Sequence, residues 1–257
     1  MARCTLLLIF FFAAQQFLVH ALTPVTEGIV RIVGGTTASE GEIPWQVAIF
    51  LFGSINCGAS IISENFIVTA AHCSDYPAKV YTVISGTVNI YEGGRQHNVS
   101  NIYVHEGWNP ITFENDIAVW QVDPPFEWNG QTAPIGLLDQ GVDTPARTLA
   151  TVSGWGTTSL GGNYSDLLLK VEVPIVPQID CDAVYVNFGG IFPSQICAGF
   201  PMGGADACQG DSGSPLFFNG TLHGISSWGD GCAAPGIPGI YTKASAYRDW
   251  INQITGV

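Results

Sequence analysis

The sequence predicts an all-β protein of two similar halves, closed by a single C-terminal helix. Three observations carry that reading. Short alternating or continuous apolar runs recur between turn signals from Ile43 onward. Gly is abundant, at 31 residues, and Pro stands at 15, which suits many short strands joined by turns. Residues 123–134 hold Pro124, Pro125, Gly130 and Pro134 without an apolar period, so they divide the chain between two strand-rich halves.

The elements follow in order. Residues 47–52, 80–90, 149–155 and 167–176 read as strands from their apolar runs. Phe217 and Phe218 lead into Asn219-Gly220, and residues 222–228 follow. That is a hairpin, because Asn-Gly suits a two-residue turn. Tyr247, Trp250, Ile251 and Ile254 recur at helical spacing behind Ser245, which is placed to cap the helix.

Composition narrows the function. The chain of 257 residues is 47% hydrophobic and 11% charged, a globular balance. Its formal net charge is −13, and eight Lys and Arg residues cannot build the basic face that nucleic acid requires. Arg3 followed by an apolar run from Leu6 to Ala14 reads as a signal peptide, residues 1–21, cut after Ala21. No later stretch is long and apolar enough to cross a membrane as a helix. The expected product is secreted and extracellular, with no membrane contact after signal removal. Cys4 leaves with the signal. Cys57, Cys73, Cys181, Cys197, Cys208 and Cys232 remain, an even set that suggests three disulfides. Six cysteines allow 15 connectivities, and spacing alone chooses none. They lack the paired spacing of a zinc site.

Three strings carry chemistry: Thr69-Ala70-Ala71-His72-Cys73, Asn115-Asp116-Ile117-Ala118 and Gly210-Asp211-Ser212-Gly213. A Ser hydroxyl is a poor nucleophile at neutral pH and needs a base in contact. An imidazole titrates near about 6.5, so it can take that proton and return it to a leaving amine. With Ile32-Val33-Gly34-Gly35 and Ser153-Gly154-Trp155-Gly156, these strings make the chain from Ile32 onward resemble the chymotrypsin/trypsin family of serine proteases. The order of the motifs, His then Asp then Ser, is specific to that resemblance.

The resemblance implies two packed antiparallel β-barrels with a C-terminal helix. The first barrel covers about residues 32–130 and the second about residues 131–257 of a protease domain at 32–257. It implies His72, Asp116 and Ser212 as the catalytic triad, with Ser227 supporting the Asp. Gly210 and Ser212 give the N–H groups of an oxyanion hole. Residues 22–31 become an activation propeptide, cut at Arg31-Ile32 so that the Ile32 amine pairs with Asp211. Asp206 becomes the floor of a pocket for Arg or Lys, with Ala207, Gly229 and Gly239 on its walls. The implied disulfides are Cys57–Cys73, Cys181–Cys197 and Cys208–Cys232, the sparse bridging of invertebrate members. The acidity reads as a source of solubility; a sharper reading is that an enzyme cutting after Lys and Arg gains by carrying few of them.

Departures from the family pattern sharpen the expectations. Thr87 and Arg95 stand where the family's calcium loop has carboxylates, so no metal is expected there. Ser214 stands where a second Gly is common, and Pro238 stands where sodium-activated relatives carry Tyr. Asn98, Asn163 and Asn219 begin N-x-S/T sequons and are glycosylation candidates in a secreted chain. No cofactor is expected. The expected partners are protein or peptide substrates and protein protease inhibitors, and the chain is expected to be a monomer. The lack of an accessory domain before Arg31 points to digestion rather than a narrow cascade. A binding protein without activity is the competing reading, and the intact set of His72, Asp116 and Ser212 argues against it.

Overall fold

A computed structural model of the chain describes residues 35–157, 161–204, 207–208 and 210–257. Two six-stranded antiparallel barrels make up the fold. The first joins β2 (Gln46–Leu51), β3 (Ser54–Ile61), β4 (Phe66–Thr69), β5 (Tyr81–Ser85), β6 (Arg95–Val104) and β7 (Ala118–Asp123) in the closed order β2-β3-β4-β7-β6-β5. Closure leaves no free strand edge in this ring. The second uses β9 (Leu149–Gly154), β10 (Leu169–Val176), β11 (Gln195–Ala198), β12 (Pro215–Phe218), β13 (Thr221–Trp228) and β14 (Gly239–Lys243). It closes through pairing of β10 with β9. The short β8 (Gly136–Leu137) pairs in parallel with β13.

Alternation explains the first barrel. In β5, Tyr81, Val83 and Ser85 point inward while Thr82 and Ile84 are only half-buried. Val47, Ile49, Ile61, Ile67, Val83, Val119 and Trp120 fill its core. Fully burying one such aliphatic side chain is worth about 1.5–3 kcal/mol. The second core is smaller and holds Val152, Val173, Ile196, Leu216 and Tyr241.

The termini cross over between the barrels. β1 (Thr36–Thr37) pairs with β10 of the second barrel. At the other end, Tyr247 and Ile251 of the C-terminal segment pack into the first core. Each half is thereby tied to the other by chain from its far side.

Some expected elements changed. The strand expected at 80–90 ends at Ser85, because Gly86 turns the chain at φ +72°. Asn219 and Gly220 both have positive φ, as the two-residue turn between β12 and β13 requires. The C-terminal helix is α2 (Arg248–Thr255), entered through a 3₁₀ turn, Ala244–Tyr247. Ser245 does not cap it: its hydroxyl is buried without a partner, inside that turn. A second helix, α1 (Gln178–Val184), had no sequence signal strong enough to expect it.

Candidate active site

His72 sits in a 3₁₀ turn, Ala71–Cys73, directly after β4. The disulfide Cys57–Cys73 ties that turn to β3. Asp116 lies just before β7 and is fully buried. A buried carboxylate needs donors, and this one has them. Its Oδ1 accepts the His72 backbone N–H at 3.0 Å. Its Oδ2 lies 2.8 Å from His72 Nδ1 and accepts the Ser227 hydroxyl at 2.6 Å. The Asp116 carbonyl accepts the Thr242 hydroxyl at 2.7 Å. Ser227 is on β13 and Thr242 on β14, so the second barrel grips an aspartate supplied by the first.

Ser212 belongs to a tight loop between Cys208 and β12. Its carbonyl accepts the Gly58 N–H of β3 at 2.8 Å. Gly213, at φ +77°, presses on the chain that leads to His72. A Cβ there would stand 2.0 Å from Thr69 Oγ1 and 2.5 Å from the Gly58 carbonyl, so only glycine fits. This close approach brings the Ser212 loop against the β4 end that carries His72. Ser214, next in the loop, accepts a hydrogen bond from Gln46 Nε2 at 3.3 Å, and Gln46 Oε1 accepts the Ser153 hydroxyl at 2.7 Å. A buried polar link therefore runs from β2 of one barrel to β9 of the other beneath the loop.

Asp211 is fully buried. Its carboxyl oxygens accept N–H groups from Gly156 at 2.8 Å and Cys208 at 2.9 Å. Burial pushes this carboxyl up to about 6 even though both bonds act to lower it. Among the described residues no cation acts on it.

A cavity of about 210 Å³ opens beside Ser212. Ala207, Ser227, Trp228, Gly229 and Gly239 line it, with Cys208 and Cys232, which are joined by a disulfide. The third disulfide is Cys181–Cys197. The three pairs are those that the resemblance implies. Arg31, Ile32 and Asp206 lie outside the described residues, as do the stretches expected to be signal (1–21) and propeptide (22–31).

The remaining expected positions are plainly placed. Asn98, Asn163 and Asn219 are exposed. Thr87 bonds within its own loop, to Asn89 and Glu92, and Arg95 pairs with Glu127 at 2.6 Å. The one close grouping of metal-type side chains among the described residues is Cys57, His72 and Cys73. It is unfit for a metal because both sulfurs are in one disulfide. No helix among the described residues is long and apolar enough to cross a membrane.

Sequence reasoning missed several residues at the site. Thr242, Gly58 and Gln46 act through contacts that span more than a hundred positions or join strands far apart in order, which no local pattern encodes. Phe113 has positive φ, and its ring packs edge-on to His72 at 5.9 Å between centroids. Its place two residues before Asn115-Asp116 was the available signal.

Comparison with known proteins agrees with this geometry. A family model described as Trypsin matches residues 32–251. Trypsin-1 of Astacus astacus is 44% identical over 237 residues, covering 86% of this chain and 98% of that protein. Serine protease 1 of Rattus norvegicus is 42% identical over 226 residues, covering 87% and 89%. Anionic trypsin of Bos taurus is 41% identical over 225 residues, covering 87% and 89%.

Proposed function

We propose, from the premise that the chain belongs to the trypsin family of serine proteases, that it is secreted as a zymogen and cuts peptide bonds after Arg or Lys. Its serine endopeptidase activity follows from the family; the finer statements are our reading. The observation that carries the catalytic part of the reading is the buried Asp116, bonded at once to His72 and to Ser227; the Arg/Lys preference and the zymogen rest on the family resemblance.

In this reading Ser212 Oγ attacks the carbonyl carbon of the substrate while His72 takes the hydroxyl proton. Asp116 holds the imidazole in the tautomer that can do so and stabilises the imidazolium. Gly210 and Ser212 offer N–H groups to the oxygen as it gains charge. The C–N bond then breaks, and His72 gives the proton to the leaving amine. Water enters and its oxygen bonds to the acyl carbon while His72 takes its proton; the C–Oγ bond breaks, His72 returns that proton to Ser212 Oγ, and the acyl group leaves as a carboxylic acid that ionises in solvent. This is the established Ser–His–Asp scheme, carried here by these residues.

By the family resemblance, Asp206 is assigned the negative charge that pairs with the guanidinium or ammonium of the substrate. Gly229 and Gly239 keep the pocket walls open. Cleavage at Arg31 frees the Ile32 amine as the cationic partner of Asp211 and so orders the oxyanion loop. Domain limits follow: signal at 1–21, propeptide at 22–31 and protease domain at 32–257. Exposure of Asn98, Asn163 and Asn219 suits glycosylation of a secreted chain. The reading extends to a digestive role, as a monomer open to protein inhibitors.

The test uses matched peptides that differ only in the residue before the cut: Arg, Lys or Phe. Arg and Lys peptides are expected to be hydrolysed and Phe peptides left nearly intact. Comparable kcat/KM for Phe would sink the pocket assignment.

Ala207 gives a finer expectation. It lines the cavity and has no hydroxyl. An Arg guanidinium pairs with a carboxylate through two bonds, whereas a Lys ammonium has three donors in a compact head and needs other acceptors. A buried donor left unpaired costs about 1–3 kcal/mol, roughly 5- to 150-fold. Ala207→Ser should therefore lower the Arg:Lys ratio of kcat/KM by raising Lys turnover. An unchanged ratio would mean that position 207 makes no contact with a bound Lys head.

A further inference from the structure

We propose that Gln195 is a positioning residue of this enzyme: its buried side-chain amide holds Phe113 in a strained backbone conformation and so fixes one wall of the groove that continues the substrate cavity. The inference rests on the endopeptidase reading above.

Gln195 opens β11 and is 1% exposed. A buried amide needs partners at both of its ends. Its Oε1 accepts the Phe192 backbone N–H at 2.9 Å, and its Nε2 donates to the Phe113 carbonyl at 3.1 Å. The Gln195 backbone N–H also donates to the Phe192 carbonyl at 2.9 Å, so the Phe192 end is closed by two bonds. The bond to Phe113 is of another kind. It spans 82 positions and reaches from the second barrel to the loop that precedes β7 of the first.

That loop needs a grip. Phe113 has φ +54° and Asn115 has φ +56°, a region that side chains other than Gly rarely adopt and bulky ones least of all. Asp116 follows directly. Each of the three residues is held from the C-terminal half of the chain. Gln195 bonds the Phe113 carbonyl, the Tyr247 hydroxyl donates to Asn115 Oδ1 at 2.9 Å, and the Thr242 hydroxyl donates to the Asp116 carbonyl at 2.7 Å. Gln195 and Thr242 stand opposite each other in the pairing of β11 with β14. One rung of the second barrel therefore grips the loop at two carbonyls three residues apart. Thr242 sets where Asp116 stands, and Gln195 sets where Phe113 stands.

The place of Phe113 has a consequence for substrate. Its ring lies edge-on to His72 and 6.1 Å from the Trp228 ring, between centroids. Trp228 and Gly229 line both the cavity beside Ser212 and an adjoining groove of about 430 Å³. Phe113 and Phe192 line that groove as well, with Ile111 and Phe188. The two groups that Gln195 joins are thus both on its walls. The acyl half of a substrate keeps its Arg or Lys side chain in the cavity, and this groove continues the cavity wall, so apolar residues ahead of the cut lie against it. Without the Gln195 bond, Phe113 relaxes toward negative φ and its ring leaves the groove. Asp116 keeps Thr242 and Ser227, and the His72 turn keeps its disulfide. The loss therefore falls mainly on substrates long enough to use the groove.

The experiment uses the activated chain and two anilides with the same leaving group. One is acetyl-Arg anilide, which ends at the cavity. The other carries Leu, Val and Phe ahead of Arg and fills the groove. Gln195→Met keeps the length of the side chain and removes both of its bonds. It should lower kcat/KM on the extended anilide at least about fivefold more than on the short one, the lower end of what an unmade buried bond costs. Equal falls on the two anilides, as general loosening of the fold would give, or an unchanged ratio, would overturn the proposal. Phe113→Asn, which tolerates positive φ and lacks the ring, tests whether Gln195 acts through Phe113. In the double variant the extended-to-short ratio should fall by less than the product of the two single falls, and a full product would overturn the proposal. Should Gln195→Met not be secreted, Gln195→Asn, one methylene shorter and unable to span both partners, takes its place with the same expectation. Failure of the wild-type chain on both anilides would overturn the endopeptidase reading and this inference with it. Wild-type activity with an unchanged ratio in the variant would overturn this inference alone.

Discussion

Asp116→Asn is expected to lower kcat by about 10⁴-fold near neutral pH while leaving the fold and KM little changed. The magnitude is that of the established Ser–His–Asp triad and is not obtained from the distances here. The direction does come from them. Oδ1 and Oδ2 of Asp116 together accept the His72 N–H, the His72 ring and the Ser227 hydroxyl. An amide can only donate from one of its two ends. Turned toward His72 Nδ1, its NH₂ demands the tautomer that places the ring proton on Nε2, the nitrogen that must receive the proton from Ser212. Turned the other way, the NH₂ confronts the His72 backbone N–H, which leaves a buried donor unpaired. Steady-state kinetics with a circular dichroism control checks the expectation. A loss below about tenfold would mean that Asp116 does not orient the imidazole.

Arg31→Gln is expected to give a secreted protein whose activity falls by at least the about 100- to 1000-fold that one lost oxyanion donor costs. The cause is Asp211, which lies in the loop between Gly210 and Ser212 and needs a cation. Stability adds a second readout. Burial raises the Asp211 carboxyl from its ordinary 3.8 to about 6. A raised acid favours the protonated form in the fold. Its contribution is fully present below pH 3.8 and is lost as pH rises to about 6, at a cost of about 3 kcal/mol. In the proposed activation scheme, the Ile32 ammonium offsets that loss only after cleavage. The melting temperature of the uncleaved protein should therefore fall between pH 4 and 7 by more than that of the cleaved protein. Equal falls in the two forms, or full activity in uncleaved Arg31→Gln protein, would contradict the activation scheme.

The strand pattern was legible where burial is one-sided or complete. Residues 149–155 and 167–176 read as strands and lie within a residue or two of β9 and β10. The hairpin at Asn219-Gly220 read correctly because the turn itself demands positive φ. β6 was illegible, since its inward positions include His97, a polar residue bonded to Ser85 and Pro124. α1 buries only Cys181 and so offers no apolar stripe to read. At the site, the three motif strings were local and visible. The bonds that position them are not local: Ser227 was found through the resemblance, whereas Thr242 on β14 and Gly58 on β3 matter only once the barrels are packed together.

The central claim is a Ser212-dependent endopeptidase selective for Arg and Lys. Its most direct test is a positional peptide-library cleavage profile of the activated protein, run beside activated Ser212→Ala. The account predicts cuts confined to bonds after Arg and Lys, and none above background in Ser212→Ala. Cuts distributed over other residues, or the same profile from Ser212→Ala, would contradict it.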